Sequence, residues 1–224
     1  MSDMKPSAVK QIADTIVVII LAIIVSATIN AFFLGTVRVK GTSMSDTLYG
    51  GGDIAVDKSA NWFNRLFLGI NDSPQYGDKV LLLNTKKVKR GDIIVFRAFH
   101  ADGQSYVDPT GQQEQWIKRV IGIAGDEILI KEGSVYVNGE LLSEPYLLEP
   151  YSTFVLNGEL SVKVPEGKLF VMGDNRCNST DSRRSNVGCI KTKDVIGKVI
   201  LVLGKQSHKI TFPKKLSNLE IVTI

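Results

Sequence analysis

Between Asp14 and Arg38 no residue carries a charge, and the run Thr15-Ile-Val-Val-Ile-Ile-Leu-Ala-Ile-Ile-Val is apolar on every side of a helical wheel. The 23 positions from 15 to 37 rise roughly 34 Å as an α-helix, against a bilayer hydrocarbon core of about 30 Å. A cleavable secretory leader has a shorter apolar core, about 7–15 residues, and a globular helix usually keeps one polar face. The pattern predicts a short N-terminal tail over residues 1–14 and a permanent transmembrane helix over residues 15–36. Lys5 and Lys10 precede the span while Arg38 and Lys40 follow it, so the excess of positive charge on one side is too small to set the orientation.

Beyond the span the period shortens. Brief β-branched runs occur at Val37–Val39, Asp53–Val56, Lys79–Leu83, Asp92–Phe96, Trp116–Ile123, Glu127–Lys131, Ser134–Val137, Lys168–Met172 and Val195–Leu203. Asn138-Gly139 marks a tight hairpin after the Ser134–Val137 run. Glycine and polar punctuation at Gly50-Gly51-Gly52, Asp108-Pro109 and Asn175–Asn178 separates the runs, and no long amphipathic helix interrupts them. The expectation is a mainly β, antiparallel domain over residues 37–224, with a smaller inserted β subdomain at 127–166. The aromatic segment Asn61–Gly69 reads first as core, and Lys205, Lys209, Lys214 and Lys215 as a solvated edge.

The chain has 224 residues and a formal charge of +4, with its basic residues scattered. One anchor and one compact domain fill that length, and without a basic run nucleic acid is a poor partner. Cys177 and Cys189 are too few for a disulfide scaffold and are not spaced as metal ligands. The two histidines, His100 and His208, sit in no activating motif, so neither a Ser/His/Asp triad nor a histidine-based metal site is expected. A lysine can serve as base in place of histidine when burial lowers its pKa from about 10.4. Lys118 fits that need, because it lies inside the apolar run Trp116-Ile-Lys-Arg-Val-Ile-Gly122. Strand alternation puts Trp116, Lys118 and Val120 on one face and Ile117, Arg119 and Ile121 on the other, and neither face is plainly the solvent face.

Four blocks then occur in order behind the span: Gly41-Thr-Ser43-Met44-Ser-Asp-Thr47-Leu48, Arg90-Gly-Asp92-Ile-Ile-Val-Phe96, Ile117-Lys118-Arg119-Val-Ile-Gly-Ile-Ala-Gly125-Asp126, and Met172-Gly-Asp174-Asn-Arg176-Cys-Asn178-Ser179-Thr-Asp181-Ser-Arg183. Together they resemble the bacterial type I signal peptidases, membrane-bound serine endopeptidases that use a Ser/Lys dyad and no cofactor. The resemblance implies that Ser43 is the acylating nucleophile and Lys118 its base, with the Ser43 main-chain N–H as an oxyanion donor. It assigns Ser179 to orienting the lysine, Asp181 and Arg183 to bracing that loop, and Asp174 with Arg119 to a second brace. Val37, Val39, Met44, Leu48 and Ile117 match positions that line the family's small substrate pockets. The implied partners are signal peptides of exported preproteins, with small side chains at the first and third positions before the cut, and the lipid bilayer; contact with the secretion machinery is compatible with that role. The implied location is the cytoplasmic membrane, single-pass, with the catalytic domain on the extracytoplasmic face.

Two departures from the pattern stand out. Asp46 occupies the place of the usual proline after the nucleophile, so the turn loses a residue that fixes φ near −65°. Gly41 stands where some members carry a serine that helps bind the oxyanion. A membrane-anchored binding protein that has lost hydrolysis is the rival reading, opposed by the retained Ser43, Lys118 and Ser179. A self-cleaving Ser/Lys repressor is the other, opposed by the lipid span.

Overall fold

The computed structural model describes residues 6–48, 77–148, 153–155, 158–203 and 210–211. The expected strand Asp53–Val56 and the aromatic segment Asn61–Gly69 lie outside them, as do the four C-terminal lysines. Helix α1 spans Pro6–Phe33, and proline is tolerated in its first turn because the N–H it lacks has no helical partner there. None of the apolar span Lys10–Thr28 is covered by the rest of the described chain. The hydroxyls of Thr15 and Thr28 donate to the carbonyls of Gln11 and Ile24, each at 2.8 Å, so these polar side chains are satisfied inside the helix.

The helix begins earlier and ends earlier than its pattern predicts. Residues 34–36 are not helical, because Leu34–Arg38 form strand β1 and pair antiparallel with β2, Lys79–Leu83. The Asn84 amide donates to the carbonyl of Phe33 at 2.9 Å, so the ladder starts at the last helical residue. Cross-strand hydrogen bonds outcompete continuation of the helix at Thr36 and Val37, whose β-branched side chains favour a strand.

The remaining strands are β3 (Ile93–Arg97), β4 (Gln115–Ile123), β5 (Glu127–Lys131), β6 (Ser134–Val137), β7 (Glu140–Leu141), β8 (Glu159–Lys163), β9 (Lys168–Met172), β10 (Ile190–Lys191), β11 (Val195–Leu203) and β12 (Ile210–Thr211). Among the described residues they form two antiparallel sheets. The larger has eight strands in the order β1-β2-β11-β3-β4-β9-β10, with β12 on β11, and the smaller runs β7-β6-β5-β8. Asn138 and Gly139 take φ of 53° and 83°, the left-handed pair that a two-residue hairpin between β6 and β7 requires. The expected runs do not include β8, although its Glu-Leu-Ser-Val-Lys sequence alternates polar and apolar residues, nor β10 and β12, which at two residues each are too short to show a period.

Strand β4 lies inside the large sheet, between β3 and β9. Alternation sends Ile93 and Val95 of β3 into one apolar cluster with Val39, Met44 and Leu48, and Ile94 and Phe96 into another with Val120 and Val171. Ile121 joins a third cluster beneath the small sheet. Each fully buried Ile, Leu or Phe in these clusters contributes about 1.5–3 kcal/mol. Both faces of β4 are thus removed from water, and its two cations, Lys118 and Arg119, are carried inside with it.

Candidate active site

Ser43 sits in the turn that leaves β1. The turn closes on itself through the Ser45 amide on the Thr42 carbonyl (3.0 Å) and the Thr47 and Leu48 amides on the Met44 carbonyl (2.9 and 2.6 Å). Met44 and Leu48 are fully buried in the first apolar cluster, and they pin the turn from below. The turn directs these two side chains into the core, while Ser43 stays half-buried at its surface.

Lys118 reaches Ser43 from β4. Its Nζ donates to Ser43 Oγ at 2.7 Å and to its neighbour's carbonyl at Ile117, 3.1 Å, and lies 5.7 Å from the centre of the Trp116 ring. Lys118 is only 5% exposed. Burial lowers its pKa from the ordinary 10.5 to about 8, partly opposed by the more distant carboxylates of Asp181 and Asp174. Neither carboxylate bonds to the ammonium, since each is claimed by an arginine.

The segment after β9 supplies those claims. Arg183 binds Asp181 through Nε and Nη2, both at 2.8 Å, and Asp181 accepts the Gly173 amide at 3.0 Å. Burial is the largest influence on the Asp181 carboxyl and pushes its pKa up. The Arg183 guanidinium, with smaller help from the Gly173 amide, outweighs burial and holds it below the usual carboxylate range. Arg119 grips Asp174 through Nε (2.8 Å) and Nη2 (2.6 Å), with Nη1 on the Gly91 carbonyl at 3.0 Å. Asp174 also accepts the Thr47 hydroxyl at 2.5 Å, and the Asn175 amide donates to the Ser43 carbonyl at 3.1 Å. The loop and the Ser43 turn are therefore laced together from both strands.

Ser179 Oγ is buried without a hydrogen-bond partner among the described residues; it is not bonded to Lys118. Its place is set by Gly173, where an added Cβ would come within 2.3 Å of Ser179 Oγ and 2.4 Å of the Ser43 carbonyl. Only a glycine lets the loop approach both serines. Val37, Val39 and Ile117 line, with Ser43, Lys118 and Ser179, a cleft of about 770 Å³. Cys177 lies on the same wall, and no disulfide joins it to Cys189.

Sequence reasoning gave no role to several residues of this region. Thr47, Gly173 and Arg176 stand inside the motifs, but a motif does not tell which member braces which. Glu144 and Tyr146 belong to no motif. Glu144 accepts Arg176 Nη1 at 2.9 Å and pairs again with Nη2, Tyr146 donates to Glu144 at 2.6 Å, and the Tyr146 ring lies 3.8 Å from the Arg119 guanidinium carbon. These partners are distant in sequence, so no local pattern announces them.

A serine hydroxyl held 2.7 Å from a buried amine with a depressed pKa can do nucleophilic chemistry. The neutral amine takes the hydroxyl proton as the oxygen attacks a carbonyl, and can return it to a leaving amine. The Ser43 amide donates to no group among the described residues and is available to a developing oxyanion.

A family model described as "Signal peptidase, peptidase S26" matches residues 12–203. The chain is 34% identical over 185 residues to "Signal peptidase I" of Bacillus licheniformis, covering 80% of this chain and 81% of that protein. It is also 34% identical over 203 residues to "Signal peptidase I U" of Bacillus subtilis (strain 168), covering 88% and 89%. Among solved structures, a signal peptidase I from Enterococcus faecalis V583 aligns with 50% of this chain and 96% of its own at 31% identity, with a TM-score of 0.38.

Proposed function

Because the chain belongs to the signal peptidase, peptidase S26, family, we propose that it cleaves through Ser43 as nucleophile and Lys118 as base. The family makes it a serine endopeptidase that removes signal peptides. The observation that carries the finer reading is the 2.7 Å contact between Ser43 Oγ and an Nζ whose pKa burial has lowered to about 8.

Neutral Lys118 takes the Ser43 proton as Oγ forms a bond to the scissile carbonyl carbon, and the oxygen's charge is met by the Ser43 amide. The ammonium then protonates the departing amine as the C–N bond breaks, leaving the acyl-enzyme. Water, deprotonated by Lys118, hydrolyses that ester and restores the serine. Ser179, Asp181, Arg183, Asp174 and Arg119 hold this geometry without touching the reacting atoms. Val37, Val39 and Ile117 wall the cleft beside Ser43, which suits small side chains at the first and third positions before the cut, since apolar walls reject by size.

In this reading α1 anchors the protein in the cytoplasmic membrane as a single pass, with the β domain on the extracytoplasmic face where exported preproteins arrive. The small sheet β7-β6-β5-β8 is then a subdomain inserted into the catalytic domain. The purified chain in detergent should process a preprotein after a small residue, and Ser43→Ala should lose that cleavage while retaining its melting temperature. Normal processing by a folded Ser43→Ala protein removes Ser43 from the chemistry.

A further inference from the structure

Asp46 stands three residues beyond Ser43, where the resembling proteins have proline, and its carboxylate is not idle. Oδ2 accepts the Leu148 amide at 3.0 Å, across 102 residues of sequence. The segment it reaches, Glu144–Leu148, turns through the Leu147 amide on the Glu144 carbonyl at 3.1 Å. That segment is built into the site at two further points. Glu144 holds Arg176, whose Nε donates to the Gly173 carbonyl at 3.1 Å. Tyr146 lies against Arg119, which holds Asp174, which accepts the Thr47 hydroxyl.

The Ser43 turn is thus connected to Glu144–Leu148 through two consecutive residues, Asp46 directly and Thr47 by way of Asp174, Arg119 and Tyr146. The Asp46 amide donates to no group among the described residues. A proline there would cost no main-chain bond, and the hold at this position comes from the side chain alone. A charged acceptor makes a stronger hydrogen bond than a neutral one. Resting on the proposed Ser43/Lys118 chemistry, we infer that Asp46 is a positioning residue for Ser43. Its tether to the Leu148 amide supplies, through tertiary contact, the rigidity that a proline supplies by fixing φ.

The effect belongs to kcat more than to KM, because the tether touches no wall of the cleft and acts on the placement of Oγ against Nζ. The bond is exposed, and loss of one such hydrogen bond to a charged acceptor corresponds to about a fivefold to tenfold fall in rate. The test uses the full-length protein in detergent and a peptide substrate with small residues at the first and third positions before the cut. Asp46→Ala should lower kcat by about fivefold to tenfold with KM within about twofold, and Asp46→Asn, which keeps an acceptor oxygen, should restore most of it. Leu148→Pro removes the donor from the other end. It should match Asp46→Ala, and the double variant should be no worse than either single one. Native kcat in Asp46→Ala, no rescue by asparagine, a change confined to KM, or additive losses in the double variant each overturn the tether. If Asp46→Ala does not fold, Leu148→Pro and Asp46→Asn decide alone. Cleavage that survives Ser43→Ala signals failure of the underlying reading instead.

Discussion

Lys118 and Arg119 are neighbours on β4, 5% and 1% exposed, and the two faces of the strand treat a buried cation in opposite ways. On the Arg119 face every guanidinium nitrogen has a partner, with Asp174 taking Nε and Nη2, the Gly91 carbonyl taking Nη1, and the Tyr146 ring packed against the plane. On the Lys118 face the ammonium meets a hydroxyl and a carbonyl but no carboxylate. Burial with a counter-charge makes a brace, and burial without one suits the role of base proposed for Lys118. Asp181 and Asp174 are close enough to raise the Lys118 pKa, yet Arg183 and Arg119 bind them, so neither carboxylate pairs with the Lys118 ammonium.

The comparison breaks most sharply at Lys118→Arg. Arginine keeps the charge and the length but does not release its proton in a protein, so the variant should be as inactive as Lys118→Ala, at least about a thousandfold below native in kcat/KM. Near-native turnover would make Lys118 a fixed charge like its neighbour. On the other face, Arg119→Met leaves Asp174 buried without its partner and should cost about 3–5 kcal/mol of stability, measured by denaturant unfolding of the β domain. An unchanged midpoint would show that the Arg119 pair is not a brace.

Lys118→Met should move stability the opposite way. The folded pKa lies below the unfolded one, 10.5 against about 8, so the unfolded state binds more protons between those values and native stability rises with pH across that window. The cost of burying the ammonium is fully present below pH 8, and it is relieved as pH approaches 10.5. At pH 7 the methionine variant should therefore gain up to about 3 kcal/mol, with the gain shrinking above pH 8. A loss of stability at pH 7 would mean that the ammonium is better solvated in the fold than its 5% exposure implies.

The strands that place this pair were legible in the sequence, because β2, β3, β4, β5, β6, β9 and β11 all carry short apolar runs, most of them rich in β-branched residues. Alternation put Lys118 and Arg119 on opposite faces, yet it could not say which cation is paired. That choice is made by Asp174 and Tyr146, brought in by other elements. The same limit applies to Met44 and Leu48, whose inward orientation depends on the packing of Val80, Leu82 and Val95 around the turn. It applies to Gly173 as well, whose missing side chain matters only because Ser179 and the Ser43 carbonyl crowd the same point. Where the helix gives way to β1 was equally out of reach, since the ladder with β2 starts at Leu34 while the apolar run continues past it. Composition shows what a segment prefers, and long-range pairing decides where it stops.

The most direct measurement is the pH dependence of kcat/KM for peptide cleavage by the full-length protein in detergent. Protonated Lys118 cannot take the serine proton, so the rate should climb tenfold per pH unit on the acid side and level off through a single limb near pH 8. At pH 7 roughly a tenth of the molecules carry the neutral base. A limb near 8 that disappears in Lys118 variants is the result expected. A limb near 6.5, the range of a histidine, or a rate independent of pH from 6 to 9, would contradict a buried, unpaired lysine as the base.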